Sequence, residues 1–378
     1  MSGRGRERRP RIALVTDSIF PYHRGGKELR YHELGRRLAR HADVELYTMR
    51  WWGEGGRLAD GVTYRAVCPR VEMYEDGRRS TRQALLFALG CLRLAARPFD
   101  VVEADHMPYL QLFPLRAITR LRRRRLVVTW HEVWGPAYWR AYLGRRGRLA
   151  WWVERAAMRL PDEIIAASDE TARRLRGHLG PGARVTVAPN GIDMAAVRAA
   201  RPAGRPVDVT TVGRLLPHKR VDMLIDAVAL LRAGGRDVTC RIIGTGPQAA
   251  ELAERARRQG VDDLVELRED VDDGSELLGL LKSARAFAFP SEREGFGIAV
   301  LEALACGLPV VTTAAPDNLA TALVERSAGG LVCAPHAGAL ADGIARVLDA
   351  GAPGRDDAWL AGYDWDAVSE TVRTAVLP

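Results

Sequence analysis

Short apolar runs alternate with longer segments of helical periodicity along the whole chain. The runs are Arg11–Thr16, Val44–Thr48, Val101–Val102, Leu126–Trp130, Glu163–Ala167, Val185–Ala188, Val207–Val212, Thr239–Ile243, Leu264–Leu267, Ala286–Phe289, Val310–Thr312 and Gly330–Val332. Between them, Lys27–His41, Val221–Ala233 and Gln248–Gln259 place apolar residues at i, i+3 and i+4, the spacing of a helix with one buried face. Strands alternating with helices predict βαβ units, and therefore parallel sheets covered by helices on both faces. About six strands precede residue 200 and six follow it. This predicts two doubly wound, Rossmann-like domains; a single eight-stranded barrel is the alternative, and twelve strands with a central break oppose it.

The break is Ala199–Pro206 (AARPAGRP), rich in Pro, Gly and Ala. The expected order is a basic disordered tail at 1–10, an N-terminal domain over 11–198, a linker at 199–206, a C-terminal domain over 207–355 and a closing segment over 356–378. Its 378 residues exceed the length at which a single core stops growing. The five cysteines are scattered with neither a C-x-x-C pair nor metal-ligand spacing to histidine, which fits a reducing cytoplasm. No apolar run approaches the ~18 residues of a membrane span.

Charge divides the chain. Residues 1–200 hold 37 basic and 21 acidic side chains, net +16, and residues 201–378 hold 19 and 26, net −7. Only three cations are lysine (Lys27, Lys219, Lys282), so a lysine marks a position where arginine does not serve. Two of the three fall in turns that follow strands, where open parallel sheets bind ligands. After the first strand, Asp17–Glu28 is a long turn whose Gly25-Gly26 pair opens a helix, which allows close backbone approach and offers amides to an anion. After Val207–Val212 comes Gly213-Arg214-Leu215-Leu216-Pro217-His218-Lys219, two cations placed to clamp a diphosphate.

Gly244-Thr-Gly246-Pro-Gln-Ala249 superficially satisfies a dinucleotide fingerprint, although Pro247 removes one amide that would hold a pyrophosphate. A fuller constellation is Phe289-Pro-Ser-Glu-Arg-Glu294-Gly295-Phe296-Gly297-Ile298-Ala-Val-Leu-Glu302. A strand breaks at Pro290, Glu294 stands in the loop before a helix, and Glu302 lies on that helix's second turn. Two carboxylates flanking a helix start suit a ligand that combines vicinal hydroxyls with phosphate.

This segment resembles the E-x7-E motif of the retaining GT-B glycosyltransferases, the glycosyl transferases group 1 that include mannosyltransferases and sucrose synthases. Ile12–Lys27, Pro189-Asn-Gly-Ile-Asp193, Val212–Lys219, Gly244–Pro247 and Tyr363-Asp-Trp-Asp366 are each similar to a family turn, in order. The resemblance implies two Rossmann-like domains with a donor cleft between them, closing on each other around the donor, and a last helix over 356–378 that crosses back to the N-terminal domain. It implies that Arg214 and Lys219 hold the donor diphosphate, that Glu294 and the amides of Gly295, Phe296, Gly297 and Ile298 hold the sugar and phosphate, that Glu302 holds the ribose, and that Gly25, Gly26 and His131 line the sugar pocket. The implied reaction is hexosyl transfer with retention from GDP-mannose or a UDP-sugar to an acceptor hydroxyl, with no cofactor and no metal. Base and sugar stay open, because Ala314-Ala-Pro-Asp317-Asn318 replaces the common Gly-Gly-x-Pro-Glu. A nucleotide-sugar epimerase or hydrolase on the same fold, an NAD-dependent enzyme and a nucleic-acid-binding protein are the alternatives, the last opposed by the acidic second half.

The acceptor side is expected to be basic. Arg116 to Arg148 carries ten arginines and one acid, Glu132, among Trp130, Trp134, Tyr138, Trp139 and Tyr142, with Trp151 and Trp152 following. Cations among indole rings suit an anionic membrane surface through residues 116–152, with the protein peripheral at the inner face. A solvated charge run, an aromatic core and carbohydrate stacking are the competing readings.

Overall fold

The computed structural model describes residues 8–75, 78–271, 274–352 and 354–377. The chain forms two compact units, residues 1–190 with 365–378 and residues 191–364. The expected basic tail falls mostly outside the described residues; Arg9 is described, and its guanidinium donates to Ala39 O at 2.7 Å.

The first unit is built on strands β1 (Arg11–Val15), β2 (Asp43–Met49), β3 (Arg57–Ala59), β4 (Val62–Cys68), β5 (Val101–Asp105), β6 (Arg125–Trp130), β7 (Glu163–Ala166) and β8 (Val185–Val187). Their order is β8-β7-β6-β5-β1-β2-β4-β3, parallel except for β3, which runs antiparallel to β4 at the edge. The central strands β1 and β5 are buried along nearly their whole length, as continuous apolar runs covered on both faces must be. Among the helices of this unit are α1 (Gly26–Leu38), α2 (Thr81–Cys91), α3 (Leu112–Leu121), α4 (Gly135–Leu143) and α5 (Gly147–Ala157). Helices α2 and α3 pack against each other, α2 over β2 and β4 and α3 over β5 and β6.

The second unit carries β9 (Val207–Val212), β10 (Cys240–Ile243), β11 (Val265–Arg268), β12 (Ala284–Phe289), β13 (Val310–Thr313) and β14 (Leu331–Cys333), all parallel, in the order β11-β10-β9-β12-β13-β14. Helix α6 (Val221–Ala233) follows β9, and α7 (Ile298–Ala305) follows β12. The strand order reverses on either side of β9, so the turns after β9 and β12 are neighbours at a topological switch point.

All twelve apolar runs are strands. The pairs β3 and β4, and the two-residue ladder of Arg293–Glu294 with Asp317–Asn318, were not expected. The segment 199–206 is not a free linker. Ala200 O accepts from Lys282 Nζ at 2.8 Å, Ala203 N donates to Gly279 O at 3.0 Å, and Arg205 O accepts from the buried Arg241 at 2.6 Å. Those contacts fix it to the second unit, so the first boundary falls at Asn190. Near both boundaries Ile192 N donates to Tyr363 O at 2.8 Å and Met194 N to Asp364 Oδ2 at 3.2 Å.

The closing segment 356–378 divides likewise. Helix α8 (Trp365–Val376) belongs to the first unit, and the residues before it to the second. Its Val372, Ala375 and Val376 join the first unit's core, and Asp366 accepts from Arg37 Nε of α1 at 2.6 Å.

Candidate active site

In the second unit the turn after β9 carries Arg214, exposed, and Lys219, half-buried. Lys219 Nζ stands 2.5 Å from Glu294 Oε2 and lies over the Phe289 ring at 5.2 Å from its centroid. The turn after β12 is tied to the same place by backbone. Glu292 N donates to His218 O at 2.8 Å, and Ser291 Oγ reaches the same carbonyl at 3.3 Å and Arg293 O at 2.8 Å. Glu294 is held from behind as well, because Leu319 N donates to Glu294 O at 2.9 Å. The buried Asn318 anchors that support through Thr312 Oγ1 at 2.9 Å and Thr313 O at 3.0 Å.

Helix α7 begins after Gly297, whose φ of +94° only glycine adopts freely and whose Cβ would stand 2.6 Å from that of Ala320. Phe296 and Gly297 are buried, while Gly295, Ile298 and Glu302 are half-buried. Arg214, Lys219, Glu294, Gly295, Phe296, Gly297, Ile298 and Glu302 therefore come together on two adjacent turns and one helix start.

The two glutamates differ in charge. Burial pushes the Glu294 carboxyl upward, but the Lys219 ammonium and the amides of Phe296 and Gly297 outweigh it, leaving Glu294 below the usual range. Burial alone pushes Glu302 up to about 7. His218 was not singled out in the sequence. Burial first, and then the positive charges of Lys219, Arg293 and Arg214, depress its pKa to about 4. It is neutral at physiological pH. A lone histidine beside Lys219 was its only sequence signal.

Gly244 and Gly246 serve packing. A Cβ on Gly244 would lie 2.0 Å from Gly213 O and one on Gly246 2.4 Å from Leu215 O, so these glycines let the turn after β10 lie directly on the turn after β9. Leu215 N accordingly donates to Thr245 O at 2.8 Å.

In the first unit, Gly25 caps α1 and Gly26 begins it, at the carboxyl end of β1. A Cβ on Gly25 would meet Glu28 Oε2 at 2.4 Å; that glutamate turns back to accept from Ser18 Oγ at 2.5 Å. Lys27 does not present itself to a phosphate. It is engaged by Asp17 at 2.5 Å and Asp105 at 3.1 Å. Arg79 reaches Asp17 at 2.9 Å, and although burial alone would raise Asp17, the charges of Arg79 and Lys27 hold it below the usual range.

His131 follows β6 directly, half-buried, with Nε2 3.8 Å from Asp105 Oδ1. Burial outweighs that carboxylate and lowers its pKa to about 3, so His131 acts as a neutral hydrogen-bonding group. Asp105, missed from the sequence, is the hub here. Its Oδ1 accepts from Met107 N at 3.2 Å and lies 3.1 Å from His106 Nδ1. Among the described residues, no three His, Cys, Asp or Glu gather as a metal site would require.

Residues 196–359 match the family described as Glycosyl transferases group 1, and residues 24–196 match Glycosyltransferase Family 4. A D-inositol 3-phosphate glycosyltransferase of Frankia alni is 31% identical over 92% of this chain and 93% of its own. The chain belongs to the group 1 glycosyltransferases. A Mycobacterium tuberculosis glycogen synthase is 32% identical over 71% of this chain and 66% of its own length. Several curated relatives are likewise matched over about half to two thirds of their length. The sucrose-phosphate synthase of Thermosynechococcus elongatus covers 97% of this group 1 chain and 98% of its own with a TM-score of 0.75 at 19% identity, the likeness of a shared GT-B fold.

Proposed function

We propose that this group 1 glycosyltransferase moves a hexosyl group from a nucleotide-diphosphate sugar to an acceptor hydroxyl, with retention and without a metal ion. The observation that carries the reading is the Lys219–Glu294 pair at 2.5 Å joining two adjacent β–α turns. It sets a cation for the diphosphate beside an ionised carboxylate for the sugar hydroxyls, with the start of α7 between Glu294 and Glu302. The positive charges of Lys219, Arg293 and Arg214, which add to burial in depressing His218, favour a polyanionic ligand at the same turn.

In the reaction the acceptor oxygen attacks the anomeric carbon on the face from which the diphosphate leaves. The bond from that carbon to the phosphate oxygen breaks, and the departing phosphate oxygen takes the acceptor proton. Arg214 and Lys219 stabilise the charge that grows on the diphosphate, the contribution that preorganised donors make to such catalysis. Glu294 and the amides from Gly295 to Ile298 orient the sugar, and Glu302 the ribose. Gly25, Gly26 and the neutral His131 contribute hydrogen bonds at the sugar.

The donor is GDP-mannose or a UDP-hexose or UDP-N-acetylhexosamine, and the acceptor a sugar, a lipid-linked saccharide or a secondary metabolite. The test incubates the protein with each nucleotide-sugar in the presence of chelator, follows nucleotide release, and assigns the anomeric configuration of the product by NMR. Release in chelator with retained configuration is expected. Activity lost in chelator, or an inverted product, overturns the mechanism. An altered free sugar formed without acceptor identifies an epimerase or hydrolase instead.

A further inference from the structure

Helix α2 is apolar on both faces. Phe87, Ala88 and Cys91 are buried, while Leu85, Leu86 and Leu89, with Leu92 in the turn just after the helix, stand 51%, 37%, 62% and 50% exposed. A helix that is apolar all round is ordinarily buried all round. Its neighbour α3 continues the outer surface with Phe113 at 38% and Leu121 at 86% exposure. Both helices cover the same side of the sheet and touch each other, so their outer faces adjoin. Arg122, at the end of α3, donates to Arg97 O at 2.8 Å and to Ala95 O in the turn that follows α2.

The charge around this patch has one sign. No acidic residue occurs from Thr81 to Phe99 or from His106 to His131. Arg82 lies one turn before Leu85 and is exposed, as are Arg120, Arg123 and Arg124 at the end of α3. Of the acids beside these stretches, Asp100 is paired by Arg124 at 3.2 Å, Asp105 is buried, and Asp162 is paired by Arg116 of α3 at 2.8 Å.

We propose that the outer face of α2 and α3 seats on an anionic lipid bilayer, the leucines entering the interface and the arginines meeting the headgroups. The charge selects this occupant. Two copies of the patch brought together would oppose their arginines, whereas an anionic surface complements them. Among the described residues no helix is long and apolar enough to cross a membrane, so the contact is peripheral. The surface differs from the aromatic segment expected over 116–152, which it overlaps only at its start. Trp130 and Trp139 are buried, and Trp134, Tyr138 and Tyr142 pack on one another or on Trp139, so most of those rings form a core.

Co-sedimentation with vesicles tests this independently of any donor. The full chain is expected to partition onto phosphatidylcholine vesicles containing about 30% phosphatidylglycerol and to be released by high salt. Leu85→Gln combined with Leu89→Gln should weaken partitioning about tenfold or more. Arg120→Gln and Arg123→Gln should each weaken it about fivefold, the equivalent of about 1 kcal/mol per basic residue near the surface. These side chains are exposed, and unchanged circular dichroism will show each variant folded. Absence of wild-type binding, equal binding to pure phosphatidylcholine, or a solution dimer dissolved by the leucine variants without vesicle binding would overturn the proposal.

Discussion

Replacing Lys219 with methionine keeps most of the aliphatic stem over Phe289 and removes the charge that faces Glu294. A second glutamate in the same turn–helix unit calibrates the effect. Glu302, on the helix after Glu294, answers to burial alone, and its carboxyl rises from the usual 4.5 to about 7. At 1.36 kcal/mol per pH unit that is about 3 kcal/mol of unfavourable burial for the ionised form. Glu294 suffers a similar burial and yet stays below 4.5, so Lys219, with the amides of Phe296 and Gly297 adding to it, offsets at least that much. Lys219 is the largest of these contributions, and without it the folded pKa of Glu294 is expected to rise above its unfolded value. The folded state would then bind the extra proton, and stability would fall as pH rises from about 4.5 to 7. Lys219→Met should therefore be less stable than wild type at pH 8 in urea unfolding, by up to about 3 kcal/mol, and nearly as stable at pH 4.5. Adding Glu294→Gln should restore most of the loss at pH 8. Transfer should fall by roughly 2–4 kcal/mol of transition-state stabilisation with the fold intact at pH 6. A destabilisation equal at both pH values, or near wild-type turnover, would refute the account.

Three further outcomes are expected. If only ionised Glu302 accepts the ribose hydroxyls, donor affinity should be about tenfold weaker at pH 6 than at pH 8, and Glu302→Gln should abolish that slope; a slope that survives the substitution assigns it elsewhere. With His131 depressed to about 3, its replacement by asparagine should lower kcat/KM without removing any limb of the pH profile between 5 and 8. A limb near 6.5 that vanishes in His131→Asn contradicts this. Gly246→Ala forces a Cβ to 2.4 Å from Leu215 O, backbone that cannot swing away, and should destabilise by about 2 kcal/mol or more in thermal unfolding; an unchanged Tm would show that the turn yields.

Much of this molecule was legible in its residues because parallel strands buried on both faces leave continuous apolar runs. Strand β4 escaped because its VTYRAVC pattern mixes polar and apolar residues beside a short edge strand, giving no such run. That Glu294, Gly295, Phe296, Gly297, Ile298 and Glu302 would stand together was legible because the segment keeps them within one strand–turn–helix unit. What local sequence could not show was contact at a distance. Pro, Gly and Ala at 199–206 read as a linker, yet Lys282 and Arg241 capture its carbonyls from far along the chain. Lys27 looked like a phosphate ligand because its turn was glycine-rich, but Asp17, in the turn after β1, and Asp105, at the end of β5, reach it first. Asp105 carried no motif at all, and only the adjacency of β5 to β1 and β6 makes it a hub.

The first unit is discontinuous in sequence, and this bears on how the protein is made. Helix α8 supplies Val372, Ala375 and Val376 to a core whose other members lie before residue 190. During synthesis the ribosome must therefore translate the entire second unit before the first can cover that part of its surface. The second unit, continuous from 191 to 364, has all its own strands as soon as it emerges and can fold at once. The amino-terminal unit, though made first, finishes last, and in the interval the side of its sheet that α8 covers is the surface a chaperone would meet.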